Sequence, residues 1–249
     1  MVADKKRTGR EIRRHALPGL LLVLLAALLT GCLYPNERRL ENQVPSTFYL
    51  EATQKAVEQY RKDTGVLPIA TKPLDTPIFE KYEIDFSRLM PRYLPDAPAN
   101  SFEKGGLYKY VLIDVDWKPT VKLIHLGMVS KVADVQHAVN RYRDNFGKLP
   151  LGKDLGNGYY LIDFQALGTK EVQIDSMVTN QLLPLIMNAQ GEVGIDYAAD
   201  IATILRNNPS ANVPKDTDPR YVMARESMFV PVKSFPYALE NGEPRLLPQ

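Results

Sequence analysis

The chain partly repeats itself, and this restricts its fold more than any single motif does. Residues 56–69 (AVEQYRKDTGVLPI) align with residues 138–151 (AVNRYRDNFGKLPL) at an offset of 82, with seven of fourteen positions identical. Downstream, Tyr82-Glu83-Ile84-Asp85-Phe86 aligns with Tyr160-Leu161-Ile162-Asp163-Phe164 at an offset of 78, and Ile113-Asp114 with Ile195-Asp196 at 82 again. An ordered series of matches at a long period marks two copies of one supersecondary unit. The expected fold class is α+β: two tandem repeats, each a helix followed by a small antiparallel sheet, with an extra C-terminal hairpin. The boundaries fall at 46–128 for the first repeat and 129–249 for the second with its extension.

Each copy opens with a helix. Val132, Val135, Val139, Tyr142 and Phe146 recur at helical spacing in the second copy; Leu50, Thr53, Val57, Tyr60 and Thr64 form a weaker stripe in the first. Gly65 and Gly147 are placed to stop these helices in the left-handed region, and Pro68 and Pro150 prevent them from resuming. Asp85 and Asp163 are each positioned to cap a following helical turn. Leu107–Val115 and Thr120–Leu126 then read as a hairpin around Asp116-Trp117-Lys118-Pro119. In the second copy Glu192–Tyr197 takes the place of this hairpin, and Ala198–Leu205 reads as helix. Phe229–Leu247 reads as strands around Glu240-Asn241-Gly242-Glu243, a type I′ turn signal, and this hairpin is expected to complete the second sheet.

A helix ending in Gly-x-Leu-Pro, a loop, and a hairpin containing Gly-x-x-Tyr-x-Tyr (Gly105 to Tyr110) resembles the soluble half of type II secretion pseudopilins over residues 48–115. The prepilin-peptidase site and the assembling hydrophobic helix of that family are absent from the sequence, so the resemblance implies a fold and not a filament. Taken whole, the sequence resembles an uncharacterised Bacillus-type membrane lipoprotein family, and that resemblance implies no catalytic residues.

The N-terminus carries an address. Lys5, Lys6, Arg7, Arg10, Arg13 and Arg14 precede an apolar run of 14 residues, Ala16 to Leu29. As a helix that run is ~21 Å long, short of a ~30 Å hydrocarbon core, which suits a signal-peptide core better than a permanent span. It ends in Leu29-Thr30-Gly31-Cys32, which resembles a lipobox with cleavage between Gly31 and Cys32. The expected product has residues 1–31 removed. Cys32, the only cysteine, then carries a covalent diacylglycerol and, where the host adds one, an N-acyl chain, at the head of a linker spanning 32–45. Without those 31 residues, 218 remain with 25 Lys plus Arg against 27 Asp plus Glu, a charge of −2. The basic balance of the whole chain therefore belongs to the signal, and no nucleic-acid partner is expected. A protein without disulfides suits the outer face of a Gram-positive cytoplasmic membrane.

No catalytic constellation emerges from the residues. His125 and His137 lack a carboxylate or cysteine at ligand spacing, so neither metal nor cofactor is expected. Gly156-Asn157-Gly158 is a turn rather than a phosphate loop. Asp85 with Asp163, and Asp114 with Asp196, are repeat-equivalent in the alignment, which favours roles in the fold; a glycosidase pair is the alternative. Trp117, the lone tryptophan, either contacts a partner, glycan or headgroup, or packs back on its sheet. The leading expectation is a non-enzymatic, membrane-anchored binding or adaptor module of the cell envelope with a protein partner. A solute-binding lipoprotein of an ABC transporter and a cell-wall hydrolase are the alternatives.

Overall fold

The computed structural model describes residues 46–179, 181–208 and 217–248. Gly31, Cys32 and the rest of the signal and linker expectation lie outside the described residues. The fold is α+β with small antiparallel sheets. No helix among the described residues is long and apolar enough to cross a membrane.

The first half begins with α1 (Ser46–Thr64), which buries Thr53, Ala56 and Val57. Gly65 ends it at φ +77°, its N–H bonded to Arg61 O. Two single turns follow, α2 (Ile78–Lys81) and α3 (Phe86–Leu89), and then the hairpin of β1 (Tyr108–Ile113) and β2 (Thr120–His125). Side chains on a strand alternate between faces, and this hairpin is covered on both. Tyr110, Leu112, Val121 and Leu123 pack with α1 residues Ala56 and Val57. Val111, Ile113 and Ile124 pack instead with Ala224, Val230 and Val232 from near the C-terminus.

The second half begins with α4 (Leu126–Phe146), so a division at 128/129 falls inside this helix. His125 caps it, Nδ1 accepting from the Met128 N–H, and Gly147 ends it at φ +67°. Val132, Val135 and Val139 are buried as the stripe predicts; Phe146, expected on the same face, is exposed at the last residue of the helix. Next come β3 (Leu151–Gly156), β4 (Tyr159–Ile162), β5 (Gln173–Asp175), β6 (Leu182–Asn188) and β7 (Val193–Ile195). β6 is central: β4 and β5 pair with successive stretches of it, and β7 with its opposite edge. The second half therefore has its own hairpin, β6–β7, where the sequence predicts a single strand. α5 (Ala198–Asn207) and α6 (Arg220–Glu226) follow.

Several local contacts fall at positions that the sequence alignment relates. The Asp85 N–H bonds to Pro68 O and the Asp163 N–H to Pro150 O, each at 2.9 Å. Ile69 bridges Ile84, as Leu151 pairs with Ile162. Gln54, on α1, accepts from the Val121 N–H at 2.8 Å and donates to Pro119 O at 3.0 Å. Gln136, on α4 and 82 residues later, accepts from the Val193 N–H at 2.7 Å and donates to Gly191 O at 2.8 Å. One glutamine thus pins helix to hairpin in each half. These contacts also correct the alignment of Asp114 with Asp196. Asp114 follows the first strand of its hairpin, whereas Asp196 follows the second strand, β7. The connections in the second half are shorter, so the two aspartates do not occupy corresponding places in their hairpins.

The chain's last third ties the halves together. Residues 227–235 run as a strap along the outer edge of both hairpins. Leu123 exchanges hydrogen bonds with Met228 O and the Val230 N–H, bridging Phe229 in parallel; Ile195 donates to Lys233 O and bridges Ser234 in parallel. The strap buries Phe229, Val230, Val232 and Phe235. Beyond it, β8 (Tyr237–Glu240) and β9 (Glu243–Leu246) form the expected type I′ hairpin, with Asn241 and Gly242 at φ +52° and +82°. This hairpin remains a separate two-stranded sheet instead of completing the second one, because the strap already holds the β7 edge. It packs on the second core through Tyr237 and Leu246.

Candidate functional site

The β1–β2 connection is a tight loop. Asp114 takes a left-handed conformation (φ +53°), and its carbonyl accepts from the Lys118 N–H at 2.9 Å. The loop turns the Asp114 side chain towards α6, where Arg225 binds it through two hydrogen bonds of 2.8 Å each, Nε to Oδ2 and Nη2 to Oδ1. Such bidentate pairing fixes both partners in orientation as well as distance. Beneath it, the buried Lys122 ammonium of β2 donates to Arg225 O and Ser227 O at the end of α6. Burial pushes this ammonium down to about 8, against smaller opposing effects of Glu226 and Asp114.

Trp117 projects from the same loop with 66% of its surface exposed. The Arg225 guanidinium lies between two rings, 5.7 Å from the Trp117 centroid and 5.6 Å from that of Tyr221. Tyr221 packs on Phe79 at 5.1 Å, and Arg220 lies 5.3 Å over Phe79. A cavity of about 210 Å³ opens along this row, with Ile78, Phe79, Tyr82 and Tyr221 on its apolar side and Asp114, Asp116 and Arg225 on its polar side. A second, wider hollow of about 570 Å³ lies beside β3, β4 and β6, bordered by Lys153, Asp163, Phe164, Lys170 and Glu171.

The other residues singled out in the sequence serve the fold. Asp85 accepts from the Ser87 N–H and hydroxyl and from Arg88 Nε, and the Ser87 hydroxyl heads the causes that lower its carboxyl. Asp163 Oδ1 accepts from the Ala166 N–H. Asp196 accepts from the buried Tyr237 hydroxyl at 2.7 Å and from the Ala198 N–H. His137 is exposed on α4. Gly156, Asn157 and Gly158, all at positive φ, form the β3–β4 turn. No group of three His, Cys, Asp or Glu among the described residues could hold a metal ion. Sequence reasoning did not single out Arg225, Tyr221 or Lys122, which complete the site from outside the loop. It also passed over Asp200, fully buried on α5, where burial raises its carboxyl while Ser176 and Thr179 donate to both oxygens.

Residues 46–125 match the family model described as the YphF family N-terminal domain. The matched span runs from the first residue of α1 to the last of β2, and so includes Trp117 and Asp114 but not Arg225. No curated protein and no solved structure matches the chain.

Proposed function

We propose that the chain is a membrane-anchored, extracytoplasmic lipoprotein whose module contacts another envelope protein through the Trp117 loop, without catalysis. The observation that carries this is an indole two-thirds exposed on a loop that is otherwise held rigidly. Ordering costs a flexible loop affinity when it binds, and a loop already fixed by Asp114–Arg225, by the Lys118 N–H on Asp114 O and by Gln54 has met that cost in advance. Exposed tryptophans next to arginines are frequent anchors of protein interfaces. The commitment of Asp85, Asp114, Asp163 and Asp196 to local structure supports a non-enzymatic role. The helix-then-hairpin order of each half supports reading them as two pseudopilin-like copies, here used for contact rather than for fibre assembly. Lipidation of Cys32 would hold the contact surface near the membrane's outer face.

A photo-crosslinking amino acid at Lys118, the exposed neighbour of Trp117, tests the reading in intact cells. Discrete protein adducts that disappear with Trp117→Ala are the expected result. Adducts unchanged by Trp117→Ala, or none at all, would refute it.

A further inference from the structure

Two cations and three rings stack in a row beside the groove. Arg220 lies over Phe79, Phe79 packs on Tyr221, Arg225 sits between Tyr221 and Trp117, and each step is 5.1–5.7 Å. The row starts in the interior, where Arg220 is held by Asp218 and Ser234. It stops at Trp117, a ring rather than a cation, and that ring is the exposed end. The charges along the groove are unbalanced in the same sense. Its lining holds two aspartates and one arginine. Asp114 is neutralised by the bidentate bond from Arg225, whereas Asp116 is exposed and has no hydrogen bond or ion pair among the described residues. A free carboxylate beside the electron-rich face of an indole favours a positive charge on both counts. The volume, about 210 Å³, is below the ~300 Å³ at which small-molecule sites begin, yet ample for one long side chain. Ile78, partly exposed at the rim, offers apolar contact to its neighbours.

We propose that the groove beside Trp117 receives a lysine or arginine side chain, flanked by apolar residues, from a segment of the partner protein. This rests on the contact function proposed above and adds the chemistry of the partner. The aliphatic stem lies along Tyr221 and Ile78 while the charged head reaches Asp116 and the outer indole face.

Because Trp117 is the only tryptophan, its emission reports the site directly. The full-length chain in neutral-lipid nanodiscs is titrated with a terminally blocked Leu-Arg-Leu peptide and with its citrulline twin, which keeps the shape and loses the charge. A saturable emission change with the arginine peptide is expected, at least about tenfold weaker with citrulline and about tenfold weaker with Asp116→Asn. Equal responses to both peptides, an unchanged response in Asp116→Asn, or no response to arginine would overturn the proposal. So would an emission change produced instead by anionic lipid in the nanodisc or by a neutral disaccharide. Asp116 is exposed, so its substitution leaves the fold intact. The Lys118 crosslinks separate the two levels: adducts that survive Asp116→Asn but need Trp117 retain the contact and remove the charge.

Discussion

Thr53 provides a stringent test of how α1 packs on the first hairpin. It lies on the buried face of α1 with no exposed surface, and its hydroxyl has no hydrogen-bond partner among the described residues. A buried hydroxyl without a partner costs roughly 1–3 kcal/mol relative to one left in water. The equivalent position of α4, 82 residues later, is Val135, buried in the second core. Valine has the shape of threonine with a methyl in place of the hydroxyl, and both are β-branched with similar helix propensity. Thr53→Val therefore removes the unsatisfied group without changing volume or backbone preference. It should stabilise the protein by about 1–2 kcal/mol, which raises Tm by roughly 2–8 °C in a chain of this size. The reciprocal change, Val135→Thr, should destabilise by a similar amount. Urea unfolding followed by Trp117 emission and by far-ultraviolet circular dichroism measures both, and coincident transitions with unchanged slopes would show that only stability moved. A neutral or destabilising Thr53→Val would refute the reasoning, because it would mean that the hydroxyl is bonded in solution or that α1 packs differently.

Other consequences can be measured in the same way. Gln54→Ala and Gln136→Ala each remove two helix-to-hairpin hydrogen bonds and should each cost about 1–3 kcal/mol; the sites share no partner, so the double variant should be nearly additive, and strong non-additivity in urea unfolding would contradict two separate pins. The buried Lys122 ammonium titrates lower in the folded state, at about 8, than its ordinary 10.5. Between these values the unfolded chain binds more protons, so stability should rise with pH across that window, and Lys122→Met should flatten the rise. Arg225→Ala frees the Asp114 carboxylate and one face of Trp117; the loop should become susceptible to limited proteolysis near Trp117 while the second core keeps its hydrogen-exchange protection. Cys32→Ser should release the protein from the membrane fraction, and the mature wild-type N-terminus should be an acylated Cys32, as mass spectrometry can establish.

The glycine and proline punctuation is legible because these residues act locally. Gly65, Gly147, Pro68 and Pro150 stop their helices whatever surrounds them. The Asn241-Gly242 turn is equally self-contained. Elements whose definition is non-local were harder. β6 is hard to read because Pro184 interrupts a continuous apolar run; the proline is tolerated where β6 pairs with the short strand β5, away from its pairing with β4. Gln54 and Gln136 carry no periodic signal, although the offset of 82 relates them as well as it does any core residue. Asp114 stands out in the sequence, but its partner Arg225 stands 111 residues away, and nothing in the spacing joins them. The strap was legible only as a stretch rich in β-formers, since the edges it covers are set by tertiary structure.

That strap also determines when folding can finish. Lys122 and the carbonyl of Ser227 are separated by 105 residues, and Leu123 waits about as long for Met228 and Val230. As the chain emerges from its N-terminus, the first hairpin forms early but keeps one bare edge until nearly the whole sequence is available. Bare edges recruit strands from other molecules. Contacts of such separation also slow the final step. A nascent chain ending before residue 227 therefore exposes two sticky strands at once, β2 and β7, and C-terminal truncation should yield aggregates rather than a smaller folded protein.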